Sequence, residues 1–277
     1  MNDKNNNDRK TSGGGKDGHY ARLRRAHRAA NPAEPSDGRI LLYGLHTVRA
    51  ALQNPARKPL RLLATRNALA RLELDDETLA RCQPEIVEPK AIDRLAGEGA
   101  VHQGIALETM PLKPKRLDAL GAVDLVLVLD QVTDPHNVGA ILRSAVAFDA
   151  GALITTARHS PVESGVLAKA ASGALEHIDH IEVRNLAEAL ETLSAAGFQT
   201  VGLDSEGPAI LEKTVSAQKV ALVLGAEGKG LRQKTRETVN ALARLDMPGA
   251  IRSLNVSNAA VLSLYVARRA MLESGKR

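Results

Sequence analysis

Three polar segments, each directly downstream of an apolar run, hold the residues best suited to chemistry. The first reads Asp130-Gln131-Val132-Thr133-Asp134-Pro135-His136-Asn137-Val138-Gly139-Ala140-Ile141-Leu142-Arg143. Its Asp-Pro turn leads to Asn137 at a predicted helix N-cap, with Arg143 about two turns further along the same helix. An amide and a guanidinium so placed could orient a hydroxyl and hold an anion, although an ordinary strand-to-helix connection with a surface arginine has the same spacing. The second segment, Leu224-Gly225-Ala226-Glu227-Gly228-Lys229-Gly230-Leu231, puts three glycines within six residues. Its backbone can approach a ligand closely and Glu227 offers an acceptor, while a plain tight turn would use the same residues. The glycine spacing matches neither G-x-G-x-x-G nor a Walker A loop, so a nucleotide-phosphate cradle is not indicated. The third runs from Leu245 through Asp246, Met247, Pro248, Gly249, Ala250, Ile251, Arg252, Ser253, Leu254 and Asn255 to Val256, Ser257 and Asn258. A Pro-Gly loop enters a long apolar helix past Ser253, Asn255 and Ser257, more polar groups than one N-cap uses, and the surplus points to ligand contacts. For Ser257 and Asn258, capping and packing suffice. His136 and His177 are candidate bases by type, with a solvated or structural role the better reading of each.

The elements that must position these segments alternate strand with helix. A run nearly all apolar, Val123 to Leu129, predicts a strand buried on both faces, as in a parallel sheet. Further strands are predicted at Ala152–Thr155, Ile178–Val183, Thr200–Leu203, Val220–Leu224 and Arg244–Met247, with helices at Val138–Phe148, Val162–Ala171, Leu186–Ala196, Leu231–Leu242 and Val256–Leu272. In such sheets ligands bind beyond the carboxyl ends of the strands, which is where the three segments fall. A smaller α/β unit precedes it: strands at Ile40–Tyr43, Arg61–Ala64, Glu85–Val87 and Gly104–Glu108, and helices at Leu45–Leu52, through Leu69 and Leu72, and at Ala91–Leu95. Pro111 and Pro114, set among Lys113, Lys115 and Arg116, separate the two. The expected organisation is a tail over 1–37, a small domain over 38–111, a linker over 112–119 and a larger domain over 120–277.

Charge is distributed unevenly along the 277 residues. The first thirty carry eight basic against three acidic residues, the whole of the chain's net +5, and leave the remainder balanced at 29 of each sign. That segment is polar, glycine-bearing and aperiodic, so disorder is expected, and it lacks the apolar core of a signal peptide. A basic arm on a neutral body suits attachment to nucleic acid, and a solubilising tail has the same composition. Five aromatic residues in all, none of them Trp, argue against modules that stack bases on aromatic platforms. The single cysteine, Cys82, excludes an internal disulfide and a cysteine-based zinc cluster, and fits the cytoplasm. No apolar stretch is long enough for a membrane span.

In order and separation, the three segments resemble motifs 1, 2 and 3 of the SpoU (TrmH-like) branch of the SPOUT methyltransferases: D-x-V-x-D-P-x-N-x-G-x-x-x-R, then G-x-E-G-x-G, then M-x-G-x-x-x-S-L-N-V-S. Gly44-Leu45-His46-Thr47-Val48 and His102-Gln103-Gly104-Ile105 are similar to the start and end of the small L30e-like RNA-binding domain that precedes the catalytic domain in many members. The resemblance covers all but the tail. It implies a trefoil-knotted α/β methyltransferase domain, S-adenosyl-L-methionine as cofactor and a homodimer, with RNA rather than DNA as partner. Cofactor contacts would fall at Gly225, Gly230, Leu245, Met247 and Leu254, and the active-site set at Asn137, Arg143, Glu227, Ser253 and Asn255. Asn137 and Asn255 would orient the ribose, and Glu227 would position Asn255 or the substrate. Two positions depart from common forms, Ala226 where many members have Asn and Asp246 where Pro is frequent. The implied reaction is 2′-O-methylation of a ribose, and the features look most like those of the subgroup acting on a guanosine of 23S ribosomal RNA. A D-loop guanosine of transfer RNA is the alternative substrate, and a non-catalytic RNA-binding assembly factor the alternative class, one that would predict decayed motifs.

Overall fold

The computed structural model describes residues 38–97 and 99–274. The predicted tail lies outside them. In chain order the first unit comprises β1 (Ile40–Tyr43), α1 (Leu45–Gln53), β2 (Pro59–Ala64), α2 (Arg66–Leu72), α3 (Asp76–Cys82), β3 (Glu85–Ile86), α4 (Pro89–Ala96) and β4 (Ile105–Thr109). Its four strands form a mixed sheet in the order β1-β4-β2-β3. β4 runs antiparallel to both neighbours, and only β2 and β3 pair in parallel. Helix α3 carries no apolar repeat in the sequence because it buries no residue; Asp75 caps it by accepting from the Thr78 amide.

The second unit comprises β5 (Leu125–Asp130), α5 (Pro135–Ala147), β6 (Ala152–Thr156), α6 (Gly165–Ala171), β7 (Asp179–Val183), α7 (Leu186–Ala195), β8 (Gln199–Leu203), β9 (Ala209–Ile210), α8 (Leu211–Thr214), β10 (Val220–Gly225), α9 (Gln233–Thr238), β11 (Ala241–Arg244) and α10 (Val256–Ser274). Its seven strands lie in the order β7-β6-β5-β10-β8-β11-β9, with every pairing parallel. All six residues of β5 are buried, as its two covered faces require.

Three sequence expectations are corrected. Asn137 is not the N-cap of α5: Asp134 is, its Oδ1 accepting from the His136 and Asn137 amides, with Pro135 in the first helical position. Asn137 therefore sits inside the first turn. The helix expected over Leu231–Leu242 is confined to Gln233–Thr238, and the strand expected at Arg244–Met247 lies upstream, at Ala241–Arg244. Asn240 accounts for both shifts. Its Oδ1 accepts from the Thr200 amide and hydroxyl, and its own amide donates to the Thr200 Oγ1, so the chain turns there and Ala241–Ala243 pair with β8.

The two units share one core. Leu42, Val48, Ala51 and Leu52 of the first belong to the same buried cluster as Leu167, Ala168, Ala174 and Leu175 of the second. Along that seam α6 lies against β1 so closely that a Cβ on Gly165 would come 2.3 Å from the Leu41 carbonyl oxygen. Beside it the fully buried Arg57 guanidinium forms ion pairs with Glu163 at 2.5 Å and Glu176 at 2.7 Å. Arg57 also donates to the Met110 carbonyl at 3.2 Å, and Glu163 accepts from the Leu112 amide at 2.8 Å, which ties the connecting segment into the same knot. Lys115 then adds to the edge of the large sheet, bridging to Ile181.

Candidate active site

The site is built on the carboxyl ends of β5 and β10, which are adjacent and paired through Gly225 and Asp130. A carboxylate ending a wholly apolar strand must find donors or lower the stability of the fold. Asp130, 1% exposed, finds three: the Arg232 amide at 3.0 Å, the Arg232 Nε at 2.6 Å and the Thr235 hydroxyl at 2.7 Å. This locks the connection between β10 and α9 over the end of β5. The sequence offers a signal for it, since Asp130 closes a buried strand, but not the identity of its partners a hundred residues on.

Within that connection the 225–230 loop closes on itself. Ala226 bridges to Gly230, whose amide donates to the Ala226 carbonyl at 2.8 Å. A Cβ on Gly225 would stand 2.1 Å from the Gly230 carbonyl carbon, so backbone meets backbone where no side chain fits. Gly228 and Gly230 adopt positive φ, 76° and 64°, and face open space. Glu227 stands exposed in this loop.

The third segment joins the first through two amides. Asn255 caps α10, its Oδ1 accepting from the Ser257 amide at 2.8 Å and the Ser257 hydroxyl at 2.6 Å. With Oδ1 so engaged, its Nδ2 donates to Asn137 Oδ1 at 3.1 Å. Residues 118 positions apart thus meet in front of β5, and the amide orientation of each is set by the other.

Of the five expected active-site residues, Asn137 and Asn255 are in contact. Arg143 lies on α5 six residues beyond Asn137, about 9 Å along the axis and on a different face, with its side chain exposed. Glu227 and Ser253 are also exposed, and among the described residues neither makes an ion pair or side-chain hydrogen bond to the Asn137–Asn255 pair. Of the expected cofactor contacts, Gly225, Leu245 and Met247 are half-buried, while Gly230 and Leu254 are exposed, Leu254 at 39%. His136 and His177 are exposed and outside this contact. His180 Nε2, by contrast, lies 2.8 Å from the Thr155 hydroxyl, and burial holds its pKa below the usual imidazole value. Among the described residues no cluster of His, Cys, Asp or Glu could hold a metal ion, and no helix is long and apolar enough to cross a membrane.

An α/β sheet with its polar loops gathered at the carboxyl strand ends, joined to a smaller mixed sheet, defines a class that the family comparisons specify. Residues 124–265 match the model of the SpoU rRNA Methylase family, and residues 41–115 match that for RNA 2′-O ribose methyltransferase substrate binding. The chain belongs to the SpoU rRNA methylase family. It is 37% identical over 246 residues to the 23S rRNA (guanosine-2′-O-)-methyltransferase RlmB of Vibrio cholerae, covering 83% of this chain and 96% of that protein. The RlmB of Ralstonia nicotianae is 37% identical over 236 residues, covering 83% and 95%. Among solved structures, the AdoMet-bound rRNA methyltransferase of Sinorhizobium meliloti superposes with a TM-score of 0.69 at 25% identity, covering 88% of this chain and 90% of that one.

Proposed function

We propose that this protein transfers a methyl group from S-adenosyl-L-methionine to the ribose 2′-hydroxyl of a guanosine in 23S ribosomal RNA. The observation that carries this reading is the Asn137–Asn255 contact, which unites the first and third motif segments in a chain that aligns over 83% of its length with the guanosine methyltransferase of Vibrio cholerae. The residues fit the cofactor: the 225–230 loop presents backbone groups beside open space at Gly228 and Gly230, and the accessible apolar side chains Met247 and Leu254 follow β11. When bound, the cofactor supplies an electrophilic methyl group.

A ribose hydroxyl is a poor nucleophile until its proton leaves, so the protein must favour the developing alkoxide. Arg143 is assigned that role as an electrostatic stabiliser and phosphate clamp, because a guanidinium holds its proton too firmly to serve as a base. Asn137 and Asn255, fixed by each other, orient the ribose. Glu227 and Ser253 act from the exposed loops on either side, once substrate is present.

A homodimer belongs to the same reading. Helix α10 presents Leu262, Tyr265 and Leu272, 46%, 54% and 53% exposed, at spacings that share one face, a surface suited to a second copy. The domain limits 38–111 and 120–277, the knotted path through β10, β11 and α10, and residence in the cytoplasm with the RNA complete the proposal; the free Cys82 is consistent with a reducing compartment.

The test is transfer of labelled methyl from S-adenosylmethionine to a mixture of unmodified 23S RNA and transfer RNA, followed by size separation and nucleoside analysis. The expected product is 2′-O-methylguanosine in the large RNA. Label in transfer RNA alone would replace the substrate, and cofactor binding with no transfer to 23S RNA or to its pre-ribosomal particle would defeat the proposal. Arg143→Ala is expected to abolish transfer with cofactor affinity nearly intact; equal loss of both would remove Arg143 from the substrate side.

A further inference from the structure

Lys169 is the basic residue of α6, on the seam between the two units. Its Nζ donates to Gln103 Oε1 at 3.0 Å, and the same oxygen accepts from the Leu45 amide at 3.1 Å. Gln103 belongs to the turn before β4 and Leu45 opens α1, so a lysine of the large unit is held by the loop end of the small one. Room for the ammonium is made by Gly44, whose φ is +92° and where a Cβ would come 2.3 Å from Lys169 Nζ. Gln103 itself holds a positive φ of 58°, a conformation unfavourable for a side chain of its kind. Three features thus converge on the position of one cation.

Among the described residues no carboxylate forms an ion pair with it. Burial holds its pKa below the ordinary lysine value. A half-buried lysine fixed by a neutral amide and left without a counter-ion is suited to an anion supplied from outside. His46 and Arg66, exposed in the first turns of α1 and α2, stand at the same end of the small sheet. In the other direction, Ala170 packs against α5 at Gly139, where a Cβ would come 2.5 Å from the Ala170 Cβ. Gly139 is two residues from Asn137. The seam therefore runs from the loop end of the small sheet, past Lys169, to the turn that carries the Asn137–Asn255 pair.

We propose that Lys169 binds a phosphodiester of the substrate strand where it passes from the small unit to the active site, making it an RNA-positioning residue contributed by the catalytic unit. This rests on the functional reading above. A bound phosphate neutralises Lys169 while Gln103 keeps it aimed, and the register between the two units then sets which ribose reaches Asn137.

The experiment compares the full chain with Lys169→Gln and Gln103→Glu, using an unmodified 23S RNA transcript. Gln103→Glu keeps the lysine and the acceptor for the Leu45 amide but supplies an internal counter-ion. Both variants are expected to bind the transcript several-fold more weakly at low salt. The slope of log affinity against log salt should become shallower by about 0.7–0.9, the value of one lost phosphate contact. KM for RNA rises accordingly, with kcat at saturating RNA and cofactor affinity little changed. If both variants keep the parent's slope and KM, or if they lose thermal stability and cofactor affinity with the slope unchanged, Lys169 is a structural strut and the proposal falls. A parent chain that neither binds nor methylates the transcript overturns the functional reading itself, and the role of Lys169 with it.

Discussion

Two buried knots of charge hold this molecule together, and they are built in opposite senses. At the active site a carboxylate is central: Asp130 gathers one guanidinium, one amide and one hydroxyl, and its single charge has a single counter-charge. At the seam a guanidinium is central: Arg57 gathers Glu163 and Glu176, leaving one negative charge in excess. Burial raises the Glu163 pKa against the opposing pull of Arg57, and the neighbouring Glu176 pushes the same way as burial. The balanced knot fixes the loop proposed above to present backbone to the cofactor. The unbalanced one joins two units and retains a carboxyl whose ionisation is opposed by its surroundings.

This contrast can be broken most sharply at Arg57. Arg57→Ala strands two buried carboxylates, and a loss of about 3–5 kcal/mol is expected in chemical denaturation; a loss below about 1 kcal/mol would mean that the seam is held by its apolar packing alone. Asp130→Ala leaves the Thr235 hydroxyl and the Arg232 amide without their acceptor, at an expected cost of about 1–3 kcal/mol. The smaller stability change should carry the larger functional one. Cofactor affinity by calorimetry should fall with Asp130→Ala and hold with Arg57→Ala at temperatures where both remain folded. Glu163→Gln is the mildest, within about 1 kcal/mol at neutral pH, because it removes the excess charge while keeping a hydrogen-bonding side chain.

The pH dependence sharpens the same point. The folded chain holds the Glu163 proton more tightly than the unfolded chain does. Its contribution is therefore fully present below the usual carboxylate range, declines as pH rises through the interval between the two values and is constant above it. His180 acts oppositely: its lowered folded pKa makes stability rise with pH up to about 6.5, and acidification below that value removes it. Melting temperatures measured from pH 4 to 8 should accordingly flatten below pH 6.5 on His180→Gln. Glu163→Gln should alter only the acidic limb; an effect confined to neutral pH would contradict the assignment.

How far the sequence disclosed this arrangement varied with burial. Strands β5 and β10 announce themselves because both faces are covered and nearly every residue is apolar. Over Leu231–Leu242 an apolar spacing compatible with a helix conceals a turn, because the deciding bonds run from Asn240 to Thr200, forty residues away. Asn137 misleads in a related way, since Asp134 and Asn137 are both good capping types and only the geometry of Pro135 in the first turn selects the former. The motifs supply the candidate site residues, but that Asn137 and Asn255 bond to each other depends on a distance no local pattern encodes. Lys169 and Gln103 have no periodicity to betray them, being joined across 66 residues by a single bond.

The shared core also bears on how the chain is made. Thr47 of α1 bonds to the Ala168 carbonyl across 121 residues, and the apolar face around it is covered by α6 and the turn that follows. At about 5–20 residues per second of synthesis, α1 would wait on the order of ten seconds for its covering helix to leave the ribosome. During that interval the nascent first unit displays an uncovered apolar surface, a natural landing place for a chaperone. Once the later residues arrive, both sheets should lose structure together on heating, in one calorimetric transition.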